Sequence, residues 1–150
     1  MNKKLDGHKF DIVFINWLLH HLVANSYSKT KFNSEFALRS SRKLLNENGH
    51  VAVFENTCDG MIIDSLSSHL IFHLTSSKLL APITSKLGAN TAGIGLCYRS
   101  KQEWLDIFSK CSLKPMKVLC EKEYWDNSIS KRIILHYKGL KACFFWLEKK

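Results

Sequence analysis

The sequence predicts an α/β domain in which parallel strands alternate with helices and the chain ends antiparallel. Three observations carry that class. Phe10 to Ile15 (FDIVFI) and His50 to Glu55 (HVAVFE) are short runs, rich in β-branched residues and apolar on both faces, as the buried strands of a parallel sheet are. Each is followed by apolar residues at helical spacing, and such alternation folds into a right-handed parallel layer. Toward the C-terminus, two further strand-like runs flank the turn-like Asp126-Asn127-Ser128.

Taken in order, Phe10 to Ile15 suits a central strand. It runs into Asn16 and Trp17 and then into an apolar stretch holding the adjacent His20 and His21. From about Thr30 to Leu45, Phe32, Phe36, Ala37, Leu44 and Leu45 recur at helical spacing, with Asn33 as a candidate N-cap and Asn48-Gly49 as the stop. The second strand, His50 to Glu55, again ends in polar residues, Glu55 and Asn56. Asp59 can cap a helix that carries Met61, Ile62, Leu66, Leu70 and Leu74 on one side. Lys78 to Tyr98 has no clear period and holds Pro82 and three glycines; a connection this long is expected to be a functional lid or a mobile segment. Its Gly93-Ile94-Gly95 follows no predicted strand and lacks the third glycine of a nucleotide loop. Ser100 and Glu103 make a capping box for a helix with Trp104, Leu105, Ile107 and Phe108, and Trp104 and Phe108 are expected in the core. Met116 to Tyr124 and Lys131 to Tyr137 read as an edge hairpin. Lys141 to Lys150 is an amphipathic end piece that fits a short helix or a strand equally well.

Length and composition set the class. A chain of 150 residues, 45% hydrophobic and 11% aromatic, is expected to form a single domain over residues 1–150. The apolar runs fall far short of the ~20 residues that cross a bilayer, and Lys3 and Lys4 are followed by no leader-like segment; the expectation is a soluble, cytoplasmic chain with no membrane association. Cys58, Cys97, Cys111, Cys120 and Cys143 are odd in number, scattered and never in a CxxC pair, so they are expected to be reduced and half buried. The net charge of +9 comes mostly from dispersed lysines, with only four arginines, which favours a solvated surface over nucleic-acid recognition; attraction for an anionic partner is the second reading.

FDIVFINWLLHHL, the helix ending in RKLLNENGHVAVFE, and RSKQEWLDIFSKCSLKPMKV followed by a hairpin together resemble the C-terminal half of a class I S-adenosylmethionine-dependent methyltransferase, a methyltransferase type 11/12-like domain. The resemblance covers nearly the whole chain. It implies a partial Rossmann-like methyltransferase sheet made of the family's strands four to seven. Asn48-Gly49-His50 stands at the turn into the fifth strand. The family grips its cofactor mainly through a glycine-rich loop after the first strand and an acidic residue after the second, and this sequence has no segment for either. The expected function is therefore methyl transfer to a small-molecule acceptor, with this chain as the C-terminal half, inactive alone and weak in binding S-adenosylmethionine. The alternative is a non-catalytic remnant or interaction module that pairs with another chain or an anionic partner.

Ligands of open parallel sheets bind beyond the carboxyl ends of the strands. By resemblance, Asn16, Trp17 and His21 are candidate cofactor contacts, with Glu55 and Asn56 beside the substrate. His20 or Glu55 is the candidate catalytic base, since a hydroxyl or amine acceptor must lose a proton during transfer. Plainer readings stand beside these: His21 as a helix-start histidine bonded to backbone, and Glu55 as a helix cap or solvated carboxylate. His69 and His73, at i and i+4, could share a metal, but no third ligand is evident and no metal site is expected. With the family's first strand missing, Phe10 to Ile15 is expected to present an unpaired edge, open to a separate N-terminal half or to a second copy.

Overall fold

A computed structural model describes residues 7–124 and 128–150. Its four-stranded sheet has the order β1-β2-β4-β3, with β1 at Phe10–Asn16, β2 at Leu45–Gly60, β3 at Leu113–Cys120 and β4 at Tyr137–Lys149. β1 runs parallel to β2, while β4 runs antiparallel to both β2 and β3. The predicted class, parallel at the start and antiparallel at the end, is the one adopted.

One sheet face carries the main core. Ile15, Val51, Val53, Phe145 and Leu147 pack beneath Leu38 of α1 (Tyr27–Lys43) and beneath Trp104, Ile107 and Phe108 of α4 (Lys101–Lys110). Trp104 and Phe108 lie in the core as expected, each contributing about 2–3 kcal/mol of burial. The capping box also forms: Glu103 N–H donates to Ser100 Oγ, and Ser100 N–H donates to the Glu103 carboxylate. On the opposite face, Cys58, Leu96, Tyr137 and Leu140 pack with Ile71 of α2 (Asp64–Ser76), which covers only the end of the sheet where β2 finishes.

Several elements differ from the sequence expectation. β1 lacks the two-sided burial its apolar run suggested, since of its residues only Ile15 is fully buried; it pairs with β2 alone among the described residues and so presents the unpaired edge that the resemblance implied. α1 begins earlier, because Ser26 is its cap and accepts from Lys29 N–H, while Asn33 sits inside the helix and donates to the Leu22 carbonyl. Its buried face is Thr30, Ser34, Leu38 and Ser41, and Phe32 and Phe36 face outward. Small hydroxyl residues fit there because each bonds within its own helix, as Ser41 does to the Ala37 carbonyl.

β2 does not stop at Glu55; it stays paired with β4 as far as Gly60. Asp59 is consequently a strand residue that accepts from the Lys101 N–H at the start of α4 and does not cap α2, and the turn into α2 closes instead through Gly60 N–H to the Asp64 carboxylate, 2.8 Å. Gly49 lies where the register between β1 and β2 slips; a Cβ there would stand 2.8 Å from the Phe10 carbonyl oxygen.

The predicted hairpin is replaced. Lys131 to Tyr137 is mostly helix α5 (Ile129–Leu135), and the strand that pairs with β3 is β4, which contains the undecided end piece. Cys143, Phe145 and Leu147 alternate strictly into the core, a face that Lys131 to Tyr137 cannot match with its adjacent Ile133 and Ile134. The turn expected at Asp126-Asn127 lies outside the described residues. Within Lys78 to Tyr98 the chain forms a short helix, α3 (Ala81–Lys86), and then returns to bury Leu96 and Cys97.

The cysteines are not all reduced. Cys120 and Cys143 are register partners on β3 and β4 and form a disulfide. Cys58, Cys97 and Cys111 are outside any disulfide and fully buried rather than half buried. No helix among the described residues is long and apolar enough to cross a membrane.

Candidate functional site

The chain leaves the sheet abruptly at the end of β1. Trp17 adopts a left-handed backbone, φ 47°, which a bulky residue holds only at a cost of about 1–3 kcal/mol. Its N–H donates to the Phe54 carbonyl, 2.8 Å, and its indole lies 5.6 Å from the Phe54 ring. These contacts turn the backbone out of the strand and into a single 3-10 turn, Leu19–His21.

Glu55 holds that turn from inside the sheet. Strand alternation places it on the core face between Val53 and Thr57, where it is 0% exposed. A carboxylate in such a place must be bonded on both oxygens to be tolerated. One oxygen accepts from Leu19 N–H at 2.6 Å, and the other is bonded to His20 Nδ1. His20 is itself 4% exposed. The two residues predicted as alternative bases are therefore one hydrogen-bonded pair. Glu55 is neither a helix cap nor solvated.

Around this pair, the His21 ring lies tilted against that of His20, centroids 4.1 Å apart, and Tyr98 lies 5.1 Å from the His20 ring. His21 is exposed on its outer side; desolvation against the turn, and then the neighbouring His20, hold its imidazole below the ordinary value, with Glu55 pulling the other way. Asn16 and Trp17 are exposed where β1 ends, and Asn56 is half buried on β2. The His20 carbonyl accepts from Cys97 N–H at 3.0 Å, which ties the end of the Lys78 to Tyr98 segment to the histidine turn.

Beside the turn lies an open cleft of about 570 Å³ between the start of α1 and the end of α2. Val23, Tyr27, Phe72, His73, Lys78 and Ile94 contribute to its walls. Its lining mixes apolar surface with hydroxyl, imidazole and ammonium groups and holds no carboxylate. The size suits a small organic molecule.

A buried polar group behind the cleft was not anticipated. Arg99 is fully buried; Nη1 donates to Tyr27 Oη at 3.2 Å, and the guanidinium faces the Tyr27 and Trp104 rings at 5.4 and 5.7 Å. Burial, then the Glu103 carboxylate, pushes the Tyr27 phenol up to about 12, so it stays protonated. Glu103 also accepts from Ser68 Oγ, 2.5 Å, which joins α4 to α2. The position of Arg99 just before the capping box is the one signal in the sequence that could have marked it.

His69 is occupied by stacking on Tyr27 at 3.7 Å, with His73 6.1 Å from it. Among the described residues no cluster of three or more histidine, cysteine or acidic side chains is placed to hold a metal. For a larger cofactor, exposed Asn16, Trp17 and His21 offer an amide, an indole face and an imidazole at the end of β1. Of the described glycines, Gly60 stands in the turn from β2 into α2, but its N–H is taken by Asp64 and its Cβ position is filled by the Ile63 carbonyl; Gly49 is jammed against Phe10, and Gly95 against Ser76 and Val23.

No protein-family model matches the chain, and no curated protein matches it in sequence. Solved structures do match in fold. A methyltransferase-like protein from Bacillus halodurans aligns over 95% of this chain and 65% of its own, at 10% identity and a TM-score of 0.56. LepI in complex with SAM aligns over 95% and 27%, at 7% identity and a TM-score of 0.53. A SAM-dependent methyltransferase from Leishmania major aligns over 94% and 39%, at 12% identity and a TM-score of 0.52. The chain thus spans from about a quarter to two thirds of the length of these proteins, and its sheet is that of a Rossmann-like methyltransferase fold.

Proposed function

We propose that the chain provides the acceptor side of S-adenosylmethionine-dependent methyl transfer to a small molecule, as the C-terminal half of such an enzyme. The single observation that carries this reading is the buried Glu55–His20 pair, in which a carboxylate inside β2 holds the histidine turn that follows β1, two residues before the ligand-sized cleft begins at Val23. Glu55 is acceptor-only, so Nδ1 of the neutral imidazole carries the proton and donates it to the carboxylate; Nε2 then keeps its lone pair. His20 is the base that takes the proton from an acceptor hydroxyl or amine, and Glu55 is a positioning residue that fixes its tautomer and supports its charge once protonated. Asn16, Trp17 and His21 would hold the methionine end of the cofactor, which supplies an electrophilic methyl group when bound. The Lys78 to Tyr98 segment, anchored on His20 through Cys97, forms part of the acceptor cleft. In this reading the rest of the cofactor grip would come from a separate N-terminal half.

A second reading, a non-catalytic interaction module, is favoured by the apolar side chains that β1 leaves uncovered. Calorimetry with S-adenosylmethionine separates the two. The expected result is a dissociation constant of roughly 10⁻⁴ to 10⁻³ M, about −5 kcal/mol, that is lost in Trp17→Ala. Micromolar binding would overturn the half-enzyme division. Absence of binding at millimolar concentration would overturn methyl transfer in favour of the module.

A further inference from the structure

The sheet has one bare half-face. β1 alternates so that Phe10, Ile12 and Phe14 point away from the main core, and the register carries the same face across Ala52 and Phe54 of β2, Phe144 and Trp146 of β4, and Leu119 of β3. α1 and α4 pack on the opposite face, and α2 reaches only the far end of this one. No described helix covers the rest. Ile12 is 54% exposed, Phe14 61%, Trp17 49% and Leu119 52%, with Phe54, Phe144 and Trp146 half buried between them. At 150–250 Å² per aromatic side chain, this amounts to roughly 600 Å² of contiguous apolar surface. That is at the top of the range a soluble monomer tolerates.

We propose that this half-face is the interface of a two-fold symmetric homodimer, in which Phe14, Phe54, Phe144 and Trp146 of one copy pack on the same residues of the other. Two observations favour a second copy as the occupant. The area suffices, since two such faces bury roughly 1,200 Å², the lower bound of a specific interface. The patch is also compatible with itself, as an isologous contact requires. Its centre, around Phe14, Ala52 and Phe54, holds no charge. The charged groups of this face, Lys114, Lys117 and Glu148, lie on its β3 side and meet at the rim, where Lys114 and Glu148 already pair at 3.3 Å. The two sheets would stack about 10 Å apart, as in a sandwich, leaving the outer edge of β1 unpaired.

The net charge of +9 gives the proposal a signature. Two like-charged copies repel, so screening should tighten a dimer held by apolar contact, whereas binding to an acidic partner would weaken with salt. Sedimentation equilibrium of the full chain at 50 and 500 mM NaCl is the test, with hydrogen exchange across β1. The expected result is a dimer whose dissociation constant falls several-fold at high salt, whose β1 edge amides exchange readily, and which becomes monomeric in Phe14→Lys. Phe14 is exposed enough for lysine to be accepted in the folded monomer, and Leu119→Lys, on a different strand, should act alike if Phe14→Lys fails to fold. A monomer at all concentrations would overturn the proposal and leave the face to a separate chain. A dimer that survives both substitutions with protected β1 amides would overturn it in favour of pairing along the strand edge.

Discussion

Asp59 and Lys141 form a 2.6 Å ion pair between β2 and β4, and Tyr124 closes over it, donating to Asp59 at 3.0 Å with its ring 4.9 Å from the ammonium. Burial works against the charge on Asp59, but the bonds from Lys141, the Lys101 N–H and Tyr124 outweigh it and hold the carboxyl below its ordinary value. Burial likewise opposes the charge on Lys141, yet Asp59 holds its pKa above the ordinary value. A depressed acid stabilises the fold fully above its unfolded value, near pH 4, and loses that contribution as pH falls through the folded value. A raised lysine stabilises fully below about pH 10.4 and loses it as pH rises through the folded value. Asp59→Asn should therefore cost roughly 2 kcal/mol at pH 7, between the values for exposed and buried pairs. In a thermal melt this is about 4–8 °C. The loss should shrink in the acid limb below pH 4; a deficit constant from pH 3 to 7 would remove the ion pair as its cause.

Glu55→Gln tests the tautomer argument. The amide oxygen can still accept from Leu19 N–H, but the amide nitrogen then faces His20 Nδ1 and drives the ring proton to Nε2. Nitrogen-15 NMR should report that switch, and turnover with acceptor and complete cofactor grip should fall by ~10² or more at nearly unchanged stability. Glu55→Ala should instead destabilise by at least about 3 kcal/mol, since it leaves a buried N–H unpaired beside a cavity. An Nδ1 proton retained in the Gln variant, or unchanged turnover, would remove Glu55 from the positioning role.

The Cys120–Cys143 bridge closes a separation of 23 residues. By loop closure it should contribute about 3 kcal/mol, and Cys120→Ser should lower the urea midpoint accordingly. Alkylation of the unfolded, unreduced chain should modify Cys58, Cys97 and Cys111 alone. Modification of all five cysteines without reductant would mean the bridge does not form.

Gly49→Ala should destabilise by about 2 kcal/mol, because the added methyl would stand 2.8 Å from the Phe10 carbonyl and 3.0 Å from the Leu45 Cβ. A change below 0.5 kcal/mol in chemical denaturation would show that the β1–β2 register relaxes around it.

The sequence announced what local pattern decides: the two β-branched runs, the alternation that follows them, and the Ser100–Glu103 capping box. It concealed what depends on partners. Glu55 reads as a polar end to a strand, and only its pairing with Cys143 on β4 shows that β2 continues through it. The buried face of α1 escaped because Thr30, Ser34 and Ser41 satisfy their hydroxyls locally and look like surface residues. The disulfide required the β3–β4 register, which no spacing encodes. At the candidate site, His20 and Glu55 each stand out in the sequence as polar residues after a strand, but their bond does not, since it joins residues 35 apart in the chain.

The strand order has a consequence for synthesis. β4 is the last strand in sequence yet lies between β2 and β3. Until Tyr137–Lys149 has left the ribosome, β2 can pair only with β1, and β3 has no neighbour at all. Glu55 would meanwhile face a half-built layer without Phe145 and Leu147 to exclude water. The histidine turn can therefore lock only once Tyr137–Lys149 is available to β2, so the two halves of this sheet fold together rather than in order of synthesis.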